Sequence, residues 1–496
     1  MGHLGIGGGK SVQASLVTLS RLPPTRSDVP EGLPESISLR LDHGTRRSDA
    51  GRTFIGGSPL RVLRLTDAGA RVADRLAAGE AIGPDAASQT VARRLLDAGL
   101  AHPVCHEVPA MSVTVVVPVR DHAAELASLV ASLGSVPVVV VDDGSSDPAA
   151  VVRAAGEATV IRHERSRGPA AARNSGWRAT STDLVAFVDA DITMSTGWLE
   201  PLVAHFSDPA VGAVAPRVRG RATGHSAIDR YERHRSPLDL GPEPARVVPR
   251  GRVSYLPTAT VVFRRSVLET EDGFDEALRF GEDVDLIWRV AEDCTVRYEP
   301  AVEVEHDNRP TWPALLRQRM QYGSSAAHLD QRHPGQVAPV EVNAWSLAAW
   351  TMAALGGRRG VAAGALTATA SAALLVPDLR DRVDDPITET ARLAGVGNLW
   401  AGRWLASATV RAWFPVALVA ASRSTRARRA LAVAAVAPAL FEWRDRHPDL
   451  GPVAWTAARV ADDLAYCVGV WRGCAQVGSW RSLRPRLTGI PGLTRR

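Results

Sequence analysis

Apolar and polar residues alternate over Ser38-Leu-Arg-Leu-Asp42 and again over Arg61-Val-Leu-Arg-Leu65, the period of strands with one buried face, and Gly56-Gly57 supplies a turn ahead of the second. The period then lengthens to that of helices. Ala68, Val72 and Leu76 share one helical face, Val91 and Leu95 share another, and Gly99 ends the second helix before a closing strand. From Val113 onward the pattern changes again. Val113-Thr-Val-Val-Val-Pro-Val119, Val138-Val-Val-Val141 and Val185-Ala-Phe-Val188 are nearly continuous apolar runs, which mark strands buried on both faces; Thr159-Val-Ile-Arg162 reads as a further strand. A helix with Leu126, Leu129, Val130 and Leu133 inward follows the first run, and Gly168 to Gly176 opens another ahead of the last. This repetition predicts an α/β fold with a mixed, mainly parallel, Rossmann-like sheet. Such sheets gather their ligands at the carboxyl ends of the strands.

Polar and mostly acidic residues stand at those ends: Asp121, Asp142, Asp143, Asp189 and Asp191. Asp189 and Asp191 are two positions apart, so an extended backbone points both carboxylates the same way, where they can share one divalent cation. A helix cap or a turn accounts for any one of these acids but poorly for the set. Further on, residues 258–265 predict a strand, Gly273-Phe-Asp-Glu276 a turn, and Gly281-Glu-Asp-Val-Asp285 an acidic helix start. Val302-Glu-Val-Glu-His306 alternates as a strand and presents a histidine, and a following helix carries Arg317, Arg319 and Gly323.

At 496 residues the chain is long for a single core, so several domains are expected: a disordered leader over 1–33, a small domain over 34–110, a catalytic domain over 111–335 and a helical region over 336–496. Gly7-Gly-Gly-Lys-Ser11 is not a phosphate loop, because Leu4 occupies the position of its first glycine and no strand precedes it. The first residues lack the basic flank and apolar core of a secretory signal. A net charge of +5 with scattered arginines gives no nucleic-acid footprint. Four cysteines without zinc spacing fit a reducing compartment. In the tail, residues 360–377 are free of charge and just long enough to cross a bilayer, whereas 412–422 and 430–441 are shorter and flanked by arginines. These segments predict helices that cover the catalytic domain or lie on a membrane surface.

From Ser112 to Gly323 the ordered motifs resemble the family 2 glycosyltransferases, with their nucleotide-sugar-binding fold. The resemblance implies that Pro118 and Asp121 line the nucleobase pocket, with Asp142 beside them, and that Asp143 accepts from the base. It places Arg173 and Asn174 beside the nucleotide or the metal loop, Asp189 at the ribose and the cation, and Asp191 and His306 on the cation. By the same resemblance Asp283 is the general base, with Glu282 and Asp285 as its rivals and Glu282 also near the donor sugar. Magnesium and manganese both suit the carboxylates, and an imidazole ligand favours manganese. Where processive synthases carry Gln-x-x-Arg-Trp, this chain reads Gln318-Arg-Met-Gln-Tyr322, which argues for single additions.

The front strands and helices resemble the winged-helix peptide-recognition domains of peptide-modifying systems, although a lid packed on the catalytic domain has the same pattern. Together with the Ala/Trp/Arg-rich tail and Gly56-Gly-Ser-Pro-Leu-Arg-Val-Leu-Arg-Leu65, the layout resembles the glycosyltransferases of the mycofactocin system. That implies an inverting transfer of glucose from UDP-glucose to a peptide-derived premycofactocin acceptor, on the cytoplasmic side of the membrane and alongside other proteins of that system. A membrane enzyme acting on a polyprenyl phosphate or an envelope polysaccharide shares the catalytic motifs. A sugar nucleotidyltransferase needs a Gly-rich basic loop where Pro118-Val-Arg-Asp121 stands, and a non-catalytic module has no use for the full acidic set.

Overall fold

A computed structural model describes residues 32–221 and 224–488. Gly7–Ser11 and nearly all of the leader expected up to Leu33 lie outside them.

The front domain runs β1 (Ile37–Leu41), β2 (Arg46–Ser48), β3 (Thr53–Gly56), β4 (Arg61–Arg64), α1 (Asp67–Ala77), α2 (Ala86–Asp97) and β5 (Ala101–Cys105). β1 pairs antiparallel with β5, while β2, β3 and β4 form a separate meander. Thr66 and Asp85 cap the helices by accepting from the amides of Gly69 and Ser88. β2 and β3 were not expected. Arg46-Arg-Ser48 contains no apolar residue, and Thr53-Phe-Ile-Gly56 is buried throughout, so neither alternates. Two partly buried ion pairs join this domain to the next: Arg252 donates to Asp42 (2.9 Å), and Arg93 grips Asp208 with both terminal nitrogens (2.9 and 3.0 Å).

The catalytic domain continues through β6 (Val113–Val119), α3 (Ala123–Ser132), β7 (Val138–Asp143), α4 (Pro148–Ala155), β8 (Thr159–His163), α5 (Pro169–Arg178), β9 (Leu184–Val188) and β10 (Ile192–Thr193). Then come α6 (Glu200–Ala204), β11 (Val211–Arg221), α7 (Ala227–Arg235), β12 (Ala245–Arg246), β13 (Thr260–Arg264), α8 (Arg265–Thr270), α9 (Glu282–Asp293), β14 (Thr295–Asp307) and α10 (Trp312–Arg332). One sheet in the order β10-β14-β11-β13-β9-β6-β7-β8, with β12 on β14, spans the domain. β9, β6, β7 and β8 are mutually parallel, as the apolar runs require; β13 enters antiparallel between β9 and β11, and β11 is parallel to β14. Val115, Val117, Val140 and Val188 pack one face, and Val116, Val141, Phe187 and Phe263 pack the other.

The tail consists of β15 (Glu341–Asn343), α11 (Ala344–Leu355), α12 (Gly357–Ala373), α13 (Val376–Leu379), α14 (Pro386–Arg411), α15 (Phe414–Arg423), α16 (Thr425–Arg446), α17 (Pro452–Val477) and β16 (Arg486–Thr488). α17 lies against α10 at backbone distance. A Cβ on Gly323 would stand 2.2 Å from the Tyr466 carbonyl oxygen, on Gly469 2.0 Å from that of Met320, and on Gly473 2.3 Å from that of Ser324. Behind this seam lies a buried ionic network: Arg235 and Arg459 share Glu442 (2.7 and 2.8 Å), Arg459 and Arg411 share Asp463 (2.5 and 2.8 Å), and Arg319 and the Tyr231 hydroxyl share Asp462 (2.9 and 2.8 Å). Burying charge is costly unless it is paired in this way. The tail thus covers the catalytic domain. Gly357–Leu379 is long and apolar enough to cross a membrane, with a mean hydropathy of 1.5.

Candidate active site

At the carboxyl ends of the sheet a cavity of about 930 Å³ opens between the catalytic domain and the tail. Its floor is Pro118 at the end of β6, Asp143 at the end of β7, and the loop ahead of α5. Asp143 accepts from His163 Nδ1 (2.8 Å), Ser166 Oγ (2.7 Å) and the amides of Arg167 (2.8 Å) and Gly168 (2.9 Å). Burial raises its pKa, but these donors outweigh burial and hold it below the usual carboxylate range. Both oxygens are engaged, so a base that donates to Asp143 must displace a loop contact.

One wall carries the acids. Arg173 on α5 is buried and binds Asp189 (2.8 Å) and Glu282 (3.1 Å), with its guanidinium 5.7 Å from the centre of the Phe274 ring. Its own Nε has no partner among the described residues. Asp283 follows Glu282 in the first turn of α9, half-buried at the cavity wall. Among the described residues no basic side chain lies within ion-pair distance of it. Burial and the neighbouring Glu282 carboxylate push its pKa to about 7. That overrides the pull of the helix N-terminus, which favours the anion.

Asp189 and Asp191 do not share one direction, contrary to the sequence expectation. β9 ends at Val188, and the Ile192 amide closes a turn onto the Asp189 carbonyl (3.1 Å), because the chain must reverse to pair β10 antiparallel with β14. Asp189 turns to Arg173, while Asp191 meets His306 Nε2 at 3.2 Å. Burial lowers the His306 pKa, but the charges of Asp191 and Asp189 reverse that and raise it. Among the described residues no group of three or more His, Cys, Asp or Glu side chains is drawn together as a metal cage.

Other expected residues stand back from the cavity. Asp285, a rival for the base, is fully buried on the far side of α9 with Arg289 (3.0 Å), Arg332 (2.6 Å) and His333 (2.9 Å), because the helix turns it away from Asp283. Asp142 is buried under Arg162 and accepts from the Ser145 amide. Asp121 accepts from the Ser146 amide (2.7 Å) and Oγ (2.8 Å), and Asn174 ties the Phe274 carbonyl (2.8 Å) to Glu276 (3.1 Å). These three shape the loops around the cavity and do not line it.

The opposite wall comes from α7, α10, α14 and α17: Arg235, Arg319 and Tyr322, then Arg411, Asp462 and Tyr466. Arg309, three residues past His306, adds a half-buried guanidinium with no carboxylate partner among the described residues. Sequence reading placed Arg319 on a helix without giving it a role, and did not single out Arg235, Arg309, Arg411, Asp462 or Tyr466. A signal was present: Arg459, Asp462 and Asp463 set three charges in the middle of a mainly apolar helix, at spacings that bury all three.

Residues 114–270 match the sequence pattern of Glycosyl transferase family 2. The pre-mycofactocin glycosyltransferase of Mycobacterium tuberculosis is 39% identical over 472 residues, 92% of this chain and 98% of its own. This chain is a family 2 glycosyltransferase of the mycofactocin system. It therefore acts as a transferase in mycofactocin biosynthesis. Succinoglycan biosynthesis protein ExoU of Rhizobium meliloti is 34% identical over 197 residues, 36% of this chain and 56% of its own. A mannosyltransferase of Pyrobaculum calidifontis, solved with GDP-Man and Mn2+, aligns with 58% of this chain and 87% of its own, at 22% identity and a TM-score of 0.36.

Proposed function

We propose that this transferase moves glucose, with inversion, from UDP-glucose to a hydroxyl of the peptide-derived premycofactocin acceptor, giving a β-linked glucoside. The observation that carries the mechanism is Asp283: a cavity-facing carboxyl without a cationic partner, held at about 7. A general base works best with its pKa near the operating pH. The acceptor hydroxyl gives its proton to Asp283 as its oxygen bonds to the anomeric carbon. The bond from that carbon to UDP breaks on the opposite face, and UDP leaves with the electron pair. Arg309, unpaired and close to His306, neutralises part of the diphosphate charge. Pro118 and the loop that Asp143 holds form the floor for the nucleoside.

The donor set of Asp189, Asp191 and His306 suits a divalent cation. Asp191 and His306 already meet, and the two carboxylates stabilise positive charge on the imidazole. When bound there, Mn2+ or Mg2+ supplies Lewis-acid neutralisation of the diphosphate. Asp189 meets Arg173 through Oδ1, so it would join the cation through Oδ2 while Arg173 keeps both carboxylates. The front domain is proposed to recognise the acceptor's peptide origin.

The experiment is incubation of the purified chain with UDP-sugars and acceptor, followed by mass spectrometry. A hexose gain with UDP-glucose is expected; no gain with any UDP-sugar overturns the reading. Labelled sugar appearing instead in a lipid extract favours a polyprenyl phosphate acceptor.

A further inference from the structure

An ionised carboxylate offers about four lone-pair positions and can only accept, and at Asp143 four donors from the protein fill them. Oδ1 takes His163 Nδ1 and the Arg167 amide, both at 2.8 Å, while Oδ2 takes Ser166 Oγ at 2.7 Å and the Gly168 amide at 2.9 Å. Asp143 nevertheless borders the cavity, on the floor proposed for the nucleoside. For a base to bond it, one of the four donors has to yield.

Three of them are fixed. The His163 imidazole is buried and held at its other nitrogen too, where Nε2 meets Ser175 Oγ of α5 at 2.9 Å, so turning the ring breaks both bonds. The two amides belong to the backbone that leads into α5 at Pro169. That backbone is clamped against the end of β7: a Cβ on Gly144, directly after Asp143, would stand 2.6 Å from the Ser166 nitrogen and 2.9 Å from the Arg165 carbonyl carbon. The Ser166 side chain is different. It is exposed, it lines the cavity, and its hydroxyl leaves Asp143 by rotation about one bond with no movement of the main chain.

We propose that Ser166 determines which nucleobase this enzyme accepts: its hydroxyl stands where a base N–H would bond Oδ2 of Asp143, and in the complex it donates instead to the adjacent base carbonyl. The inference rests on the placement of the nucleoside on this floor. An acceptor and a donor side by side, Asp143 and Ser166, are the complement of an –NH–C(=O)– edge. Uracil presents that edge, with its N3–H between two carbonyls. Cytosine does not, because its N3 carries a lone pair that would face the carboxylate. A site built to bond an N–H discriminates against an analogue that lacks it, since its own polar group is then left unpaired.

The test is calorimetric titration of the full chain with UDP and with CDP, with Mn2+ present and no acceptor, so that it reads the base site apart from transfer. UDP is expected to bind tighter than CDP by more than about tenfold. Ser166→Ala should weaken UDP roughly fivefold, the worth of one hydrogen bond, and leave CDP unchanged, so the preference narrows by the same factor. Ser166→Thr keeps the hydroxyl and should restore it. Tighter UDP binding by Ser166→Ala overturns the proposal, because the hydroxyl would then only compete with the base. An unchanged UDP-to-CDP ratio also overturns it, including a parallel loss of both nucleotides, which would mark a purely structural role for the side chain. Either result with UDP still bound by the parent chain leaves the transferase reading standing, whereas a parent chain that binds neither nucleotide overturns both.

Discussion

Replacing Asp283 by Asn should cut turnover sharply and make the protein more stable. A carboxyl held at about 7 in place of its ordinary 3.8 takes up protons more readily folded than unfolded. Below about pH 3.8 it is protonated in both states and nothing is lost. From there to about 7 the native chain keeps a proton that the unfolded chain releases, so stability falls as pH rises. The full effect by about pH 8 is at most about 4 kcal/mol. Asn mimics the neutral acid in shape and never ionises. The Tm advantage of Asp283→Asn should therefore be absent at low pH, grow between about pH 4 and 7, and level off above. Transfer should fall by about 10²- to 10⁴-fold, the usual worth of a general base. UDP-sugar binding, read by calorimetry, should persist. In the wild type, kcat/KM should climb roughly tenfold per pH step below about 7 and flatten above it. A flat profile between pH 5 and 8, together with a variant no more stable than the parent at pH 8, would refute the assignment of Asp283 as base.

Arg173→Gln leaves Asp189 and Glu282 facing each other in a buried site, which should cost about 3–5 kcal/mol. The loss should be larger at pH 8 than at pH 5, where protonation relieves it; a pH-independent Tm deficit would contradict this. Gly469→Ala forces a methyl to within 2.0 Å of the Met320 carbonyl oxygen, and pushing α17 off α10 should cost about 1–3 kcal/mol and raise KM. An unchanged Tm would show that the seam gives. Chelation should stop transfer, and initial rates should return more fully with Mn2+ than with Mg2+; His306→Ala should narrow that difference, since an imidazole ligand would favour Mn2+.

The catalytic sheet was legible because parallel strands buried on both faces leave nearly continuous apolar runs, and β6, β7 and β9 occur where those runs do. Asp143 and Asp283 were legible for the same reason: each stands where such an element ends or begins at the sheet rim. The direction of a side chain beyond that point was not. One turn after Val188 sends Asp189 and Asp191 to different partners, and a step of two along α9 carries Asp285 out of the cavity. β2 and β3 left no period to read. The far wall was hidden because its residues come from four helices distant in sequence, and their charges are neutralised only by one another after folding.

The seam between α10 and α17 also limits how this protein can be recombined. Gly323 from one helix and Gly469 and Gly473 from the other leave no room for a side chain between two backbones, and the same two helices present Tyr322 and Tyr466 to the cavity. A chimera that grafts the tail of one relative onto the core of another must carry both helices as a matched set. Otherwise it inherits a gap or a clash one turn away from the cavity wall.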